Sequence, residues 1–217
     1  MIEWPWKLLT PRSESWRLSG VAVNGGQTLG GVARLNRLDG GGLWVGEQNF
    51  YFHTPDQIRA ARALETMMDG GSAPVVAFSF EDPFAPGMTG GASRFSDGAE
   101  FSDMTVFAGA SFALNIAVAA AGRATTITVL NAGTSLRGGE RFSIVHPTMG
   151  RRRYSIGRVE GDQVTIRPPL REAVLVGDEL DFNKVGTVAR LANPDEFLGA
   201  LQLTRHIEAT ARWVEAF

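Results

Sequence analysis

The chain contains no cysteine. That excludes disulfides, thiolate metal sites and a cysteine nucleophile, and it leaves the redox compartment open. No stretch approaches the roughly 18 continuous apolar residues that span a bilayer. The most apolar run, Phe112 to Ala121, is short and alanine-rich. The opening residues Met1-Ile2-Glu3-Trp4-Pro5-Trp6 lack the basic start and apolar core of a secretory signal. A large charge of either sign is also missing. The formal net charge is −2, so there is no general electrostatic reason to bind nucleic acid or an anionic membrane.

Catalytic signatures are equally sparse. The three histidines, His53, His146 and His206, lie far apart in the chain and none has a neighbour at metal-ligand spacing. Gly109-Ala110-Ser111-Phe112-Ala113 lacks the final glycine of a nucleophile elbow. There is no phosphate loop, and no glycine pair has the strand–glycine–helix context of a dinucleotide site. Glu81, Asp82, Asp97, Glu100 and Asp103 cluster in or beside one long loop. Their spacing fits no calcium loop, and they read as a solvated loop, with ion binding or two-carboxylate hydrolysis as alternatives. The expectation is a protein that is not an enzyme, with no catalytic, cofactor-binding or metal residues and no cofactor.

What is present points to β structure. The 217 residues are 44% hydrophobic, enough to build a core. Glycine, at 26 residues, falls in pairs between alternating apolar segments, which marks turns. Strands are expected at 15–23, 28–38 and 43–53, the last two joined by Asp39-Gly40-Gly41-Gly42 as a hairpin. One helix is well signalled. Thr54 caps it, Pro55 takes the first position, Asp56 meets the positive dipole end and Gln57 completes a capping box. Ile58, Ala61, Leu64 or Glu65, and Met68 then recur at helical spacing, and Gly70-Gly71 ends the run.

A strand at 74–80 precedes the long loop 81–109, which is functional or ordered by a partner. Short strands follow at 111–119, 125–130, 141–146, 152–160, 163–167 and 179–182, as in a small barrel, and 185–191 is a further strand. The last segment, 201–217, alternates, with Leu201, Leu203, Ile207, Ala209, Ala211 and Trp213 on one side. Three parts are expected: an N-terminal β domain over 1–109 with helix 55–69, a barrel over 110–190, and a strand in 191–217 returning to the first domain. Trp4 and Trp6 need cover, from their own domain or from a neighbouring subunit. Arg151-Arg152-Arg153 reads as a charged hairpin tip, with a subunit contact or nucleic-acid phosphates as the sharper alternatives.

Several segments, in order, carry a family resemblance. They are Trp16-Arg17-Leu18, the hairpin ending at Phe50, the helix around Ala60-Ala61-Arg62-Ala63-Leu64-Glu65 and the strand Val75 to Phe80. In the barrel they are Leu136 to Ile144, Arg153 to Val159, Val164 to Arg171, Val176 to Leu180 and Val188 to Leu191. Together these resemble the distal tail proteins of siphophages and related prophage tails. Gly139 departs from that pattern, where the family has an aspartate, and residues 85–100 do not align.

The resemblance implies a mainly β fold: a tail-tube-like β-sandwich with one α-helix and an inserted small OB-like β-barrel. It implies a virion protein of the tail tip, assembled in the bacterial host cytoplasm, that pairs with itself in a ring, expected as a hexamer. Its neighbours would be the tail tube protein, the hub or baseplate protein and, further, the tape measure protein, with no membrane and no specific nucleic-acid partner. Trp4, Trp6, Arg151, Arg152 and Arg153 are the candidate subunit-interface residues. The rival readings are another tail structural subunit, of tube, terminator or hub-associated type, a module binding cell-surface carbohydrate, and an enzyme such as a cell-wall hydrolase.

Overall fold

The structure is a computed structural model. It describes residues 1–27, 30, 31, 33–37, 41–80, 113–203 and 205–217. The fold is mainly β, and the chain divides into two compact units. The first comprises Met1–Ser79, Pro147–Arg152 and Gly186–Phe217; the second comprises Phe80–His146 and Arg153–Val185. The expected division at 109–110 lies outside the described residues. At the other end the barrel unit stops at Val185 instead of residue 190, because the strand that follows belongs to the first unit's sheet.

The first unit is built on a six-stranded sheet. Its strands are β1 (Ile2–Glu3), β2 (Ser13–Ser19), β5 (Leu43–Phe52), β6 (Val75–Phe78), β13 (Gly186–Leu191) and β14 (Ile207–Glu215), in the order β1-β6-β13-β14-β5-β2. β5 and β14 set its character. Both alternate strictly, β5 turning Trp44, Gly46, Gln48, Phe50 and Phe52 inward and β14 turning Ile207, Ala209, Ala211, Trp213 and Glu215 inward. They pair antiparallel from Val45↔Val214 to Phe52↔Ile207. The alternation expected from residue 201 thus begins at Ile207; Leu201 and Leu203 are exposed.

The helix α1 (Pro55–Met67) forms as its sequence signals require. The Thr54 hydroxyl accepts from the Gln57 amide, and the Gln57 side chain accepts from the Thr54 amide. Its buried face, Ala61 and Leu64 with Met68 after it, joins the sheet's core together with Trp4 and Leu9. Helix and N-terminal segment thus supply, among the described residues, the layer over this sheet that a sandwich would fill with a second sheet.

Trp4 sits near the centre of that core, its ring 5.1 Å from Phe50 and edge-on to Trp213 at 5.4 Å. Its indole N–H donates to the Leu9 carbonyl, so the polar end of the ring is satisfied inside. Gln48 is the polar tie: its Oε1 accepts from Trp213 Nε1 at 2.9 Å, and its Nε2 donates to the Phe78 carbonyl at 2.7 Å and to Glu14 at 2.9 Å.

The expected hairpin between 28–38 and 43–53 does not form. β5 pairs with β2, from Ser13↔Asn49 to Ser19↔Leu43. The chain between them leaves the sheet as a separate two-stranded ribbon, β3 (Ala22–Gln27) with β4 (Ala33–Arg37). Gly20 and Gly42, both at positive φ, stand at its base, where a Cβ on Gly42 would meet the Ser19 carbonyl oxygen at 2.4 Å. The strand expected at 15–23 is therefore two strands broken at Gly20, a break that a left-handed φ enforces and hydrophobic periodicity does not reveal.

The second unit is a closed barrel of β7 (Ala113–Val118), β8 (Thr126–Val129), β9 (Arg141–His146), β10 (Gly150–Glu160), β11 (Gln163–Arg167) and β12 (Glu179–Asp181). Around the barrel the order is β10-β11-β8-β7-β12-β9. It has six strands and is closed, where the OB type has five and is partly open. A short helix α2 (Ala132–Ser135) follows β8. The interior is filled by Ile116, Ile127, Phe142, Tyr154, Val164, Ile166 and Phe182, among others. Closure leaves no free sheet edge here.

Gly46 is a steric requirement of the first unit: a Cβ there would lie 2.5 Å from the Trp16 ring. Gly46→Ala is expected to cost about 1–3 kcal/mol through overpacking. All five tryptophans, Trp4, Trp6, Trp16, Trp44 and Trp213, lie in the first unit. Urea unfolding followed by tryptophan fluorescence reads this loss directly, and an unchanged midpoint would refute it.

Candidate functional site

The five residues singled out in the sequence do not form one surface. Trp4 follows β1, and its amide donates to the Val76 carbonyl. The ring is 2% exposed; its own core covers it, and an interface role for Trp4 is withdrawn. Trp6 is half-buried against the same core, with the Lys7 ammonium over its ring.

The arginine triplet is not a hairpin tip. The turn is Pro147–Met149, and the triplet already belongs to β10. Arg151 is half-buried, with its guanidinium over the Phe78 ring at 5.8 Å. Arg152 and Arg153 are both buried, so neither can meet a neighbouring subunit or a phosphate, and that reading is corrected. A run of three charges reads as solvent-facing because burying an unpaired charge is costly. The sequence gives no sign of the partner that changes this for Arg152.

That partner is Glu215, at the end of β14. Arg152 lies 3.5 Å from its carboxylate, with both side chains buried. The guanidinium also donates to the Ala216 carbonyl and lies over the Phe217 ring at 4.8 Å. The second carboxylate oxygen of Glu215 accepts from the Trp44 amide at 3.1 Å. The group joins Arg152, Trp44 and the C-terminal residues, all within the first unit.

Among the described residues, two exposed features of the first unit stand out. One is the ribbon β3–β4 beside β2, the terminal strand of the sheet order. All six residues of β3 are exposed, and neither strand pairs with any other described strand. The other is the outer face of the sheet, where side chains pair across β5 and β14. Arg212 bonds Glu47 at 3.1 Å, and Thr210 donates to Asn49 at 2.9 Å. Tyr51 lies opposite Glu208, with its ring 5.0 Å from His206 and 6.1 Å from His53. Beside Tyr51 is an open cleft of about 250 Å³, lined by Arg12, Asn49, Tyr51, Glu208 and Thr210 among others.

His53 and His206, distant in sequence, thus meet on one face because β5 and β14 pair. Only the strand register reveals this. His146 is elsewhere, buried in the barrel, with its Nε2 2.8 Å from the Tyr154 hydroxyl. Among the described residues no group of three or more His, Cys, Asp or Glu is placed to hold a metal, and no helix is long and apolar enough to cross a membrane. Glu81, Asp82, Asp97, Glu100 and Asp103, with the whole loop 81–109, lie outside the described residues. No protein-family model and no curated protein matches the chain.

The Arg152–Glu215 pair generates a stability prediction. Glu215→Ala strands a buried guanidinium and removes the acceptor of the Trp44 amide, at an expected cost of about 3–5 kcal/mol. Arg152→Met combined with Glu215→Leu, which removes both charges, should recover much of that loss. A double-mutant cycle in urea measures it; additive losses would mean that the pair is not coupled.

Proposed function

We propose that this chain is a structural ring subunit of a phage-type tail tip, of the distal tail protein kind, joining the tail tube to the hub or baseplate. The observation that carries the reading is the ribbon β3–β4. An isolated two-stranded hairpin is marginal in water. This one extends from the sheet with β3 exposed along its whole length, so it calls for a surface outside its own chain. Beside it, β2 is the last strand of the sheet on that side and carries Glu14, Arg17 and three serines.

An arm on one side of a subunit and a receiving surface elsewhere make a heterologous contact, the kind that closes into a ring. The order of segments resembling distal tail proteins supplies the biological setting: a virion protein, assembled in the host cytoplasm, whose neighbours are copies of itself, the tube protein, the hub or baseplate protein and, further along, the tape measure protein. In this reading function resides in shape and assembly, without a catalytic group.

The base of the ribbon offers a clean test. A Cβ on Gly20 would lie 4.0 Å from the Gly42 Cα, and Ser19 pairs with Leu43. Removing residues 21–41 therefore joins β2 to β5 through Gly20-Gly42, a two-residue turn of a favoured type. Light scattering with negative-stain imaging should find rings for the full chain, alone at high concentration or on adding a tail tube protein. The shortened chain should stay folded and monomeric. A full chain that is monomeric under every condition, or a shortened chain that still forms rings, would overturn the reading.

A further inference from the structure

We propose that the cleft beside Tyr51, on the outer face of the six-stranded sheet, is a binding site for a neutral pyranose sugar. The inference does not rest on the ring reading and stands on different residues. Tyr51 is 39% exposed, an aromatic ring held at the surface of a strand whose other aromatics, Trp44, Phe50 and Phe52, all point inward.

Strand order fixes its surroundings. His53 follows on the same face, and His206 precedes β14 opposite it, so both imidazoles lie on the side of Tyr51 away from Asn49. The cleft lies on the Asn49 side. Both imidazole contacts thus come from the side of Tyr51 opposite the cleft.

The cleft then supplies what a sugar requires. A pyranose has an apolar C–H face, which packs on an aromatic ring, and a rim of hydroxyls that both donate and accept. Along the cleft stand Asn49, Thr210, Glu208 and Arg12. The Asn49 amide is oriented in advance, its Oδ1 accepting from Thr210 at 2.9 Å and its Nδ2 donating to Ser13 at 3.2 Å. Two amide hydrogens serve one such bond, so one donor remains. Glu208 brings acceptors and Arg12 donors, one charge of each sign, which gives no preference for an anionic or a cationic ligand. The volume, about 250 Å³, is below the ~300–1,000 Å³ of pockets for drug-sized ligands, which suits a single ring at a chain end or branch.

The chain has two tyrosines, Tyr51 and the fully buried Tyr154, so tyrosine-ring NMR reads the site against an internal control. The full chain, labelled on its tyrosine rings and backbone amides, is titrated separately with glucose, galactose, rhamnose, N-acetylglucosamine and inorganic phosphate. The titrations run to about 50 mM, well beyond a millimolar Kd. Tyr51→Phe assigns the ring signals by removing one set.

At least one sugar should give a saturable shift of the Tyr51 ring and the Asn49 and Thr210 amides, with Tyr154 unmoved. Tyr51→Phe should keep the amide shifts, since stacking needs no phenol oxygen. Tyr51→Ala should lose them, and Glu208→Ala, on the facing strand, should weaken them. No saturable shift with any sugar, equal shifts of both tyrosines, a response to phosphate alone, or amide shifts that survive Tyr51→Ala would each overturn the proposal.

Discussion

The pairing of β14 with β5 is the constraint on which the first unit depends. It joins residues near the end of the chain to residues far earlier, in an unbroken register from Val45↔Val214 to Phe52↔Ile207. A one-residue slip of β14 against β5 would turn Trp213 outward and Arg212 inward while Phe50 stayed in place, so the register is strongly specified. β13 and β6 then extend the sheet on one side of the pair and β2 on the other. The whole barrel sequence lies between β6 and β13 in the chain. Closing so long a loop costs entropy that rises only slowly with length, which is why a sheet with this much aromatic burial tolerates the insertion.

Inside that register, polar groups determine which aromatic arrangement is adopted. Hydrophobic burial alone does not distinguish well among ways of packing Trp4, Phe50 and Trp213. Gln48 does, because its amide must satisfy both ends and finds Trp213 on one and Phe78 and Glu14 on the other. Arg152 and Glu215 act similarly where the chain ends, fixing Trp44 and Ala216 about one buried ion pair. Such groups contribute less net stability than their number suggests, since desolvation offsets attraction, but a misplaced partner is severely penalised.

Legibility in the sequence followed the range of the interaction. The helix was fully legible because its signals are local: cap, proline, capping box and periodic Ala61, Leu64 and Met68. The inward face of β14 was legible from alternation alone, although its start was not, since Leu201 and Leu203 continue the pattern while lying exposed. The barrel was legible as a run of six short strands, but the order in which they pair could not be read from periodicity. The partner of β5 was misread because adjacency in the chain favours a hairpin, while Gly20 and Gly42 divert the intervening residues into a ribbon. The burial of Arg152 depended on a carboxylate 63 positions later. The meeting of Tyr51, His53 and His206 required the β5–β14 register, which no local pattern contains.

The division between inward and outward residues also bounds where function can reside. In β5 and β14 every inward position is committed to packing or to a buried hydrogen bond, so a change there acts through folding. The barrel is closed and its interior filled. Among the described residues, surfaces the first unit leaves for recognition include the outer sheet face, the edge of β2 and the ribbon. These differ in kind. The sheet face is rigid, since each of its side chains stands on a paired strand, and rigid polar surfaces suit a small ligand whose hydroxyls need fixed partners. Among the described residues the ribbon's strands pair only with each other, so a large partner surface that covered it would stabilise it most. In the two roles proposed, a small molecule on the rigid face and a macromolecular neighbour on the ribbon would use separate surfaces, and neither contact would disturb the register that holds the sheet together.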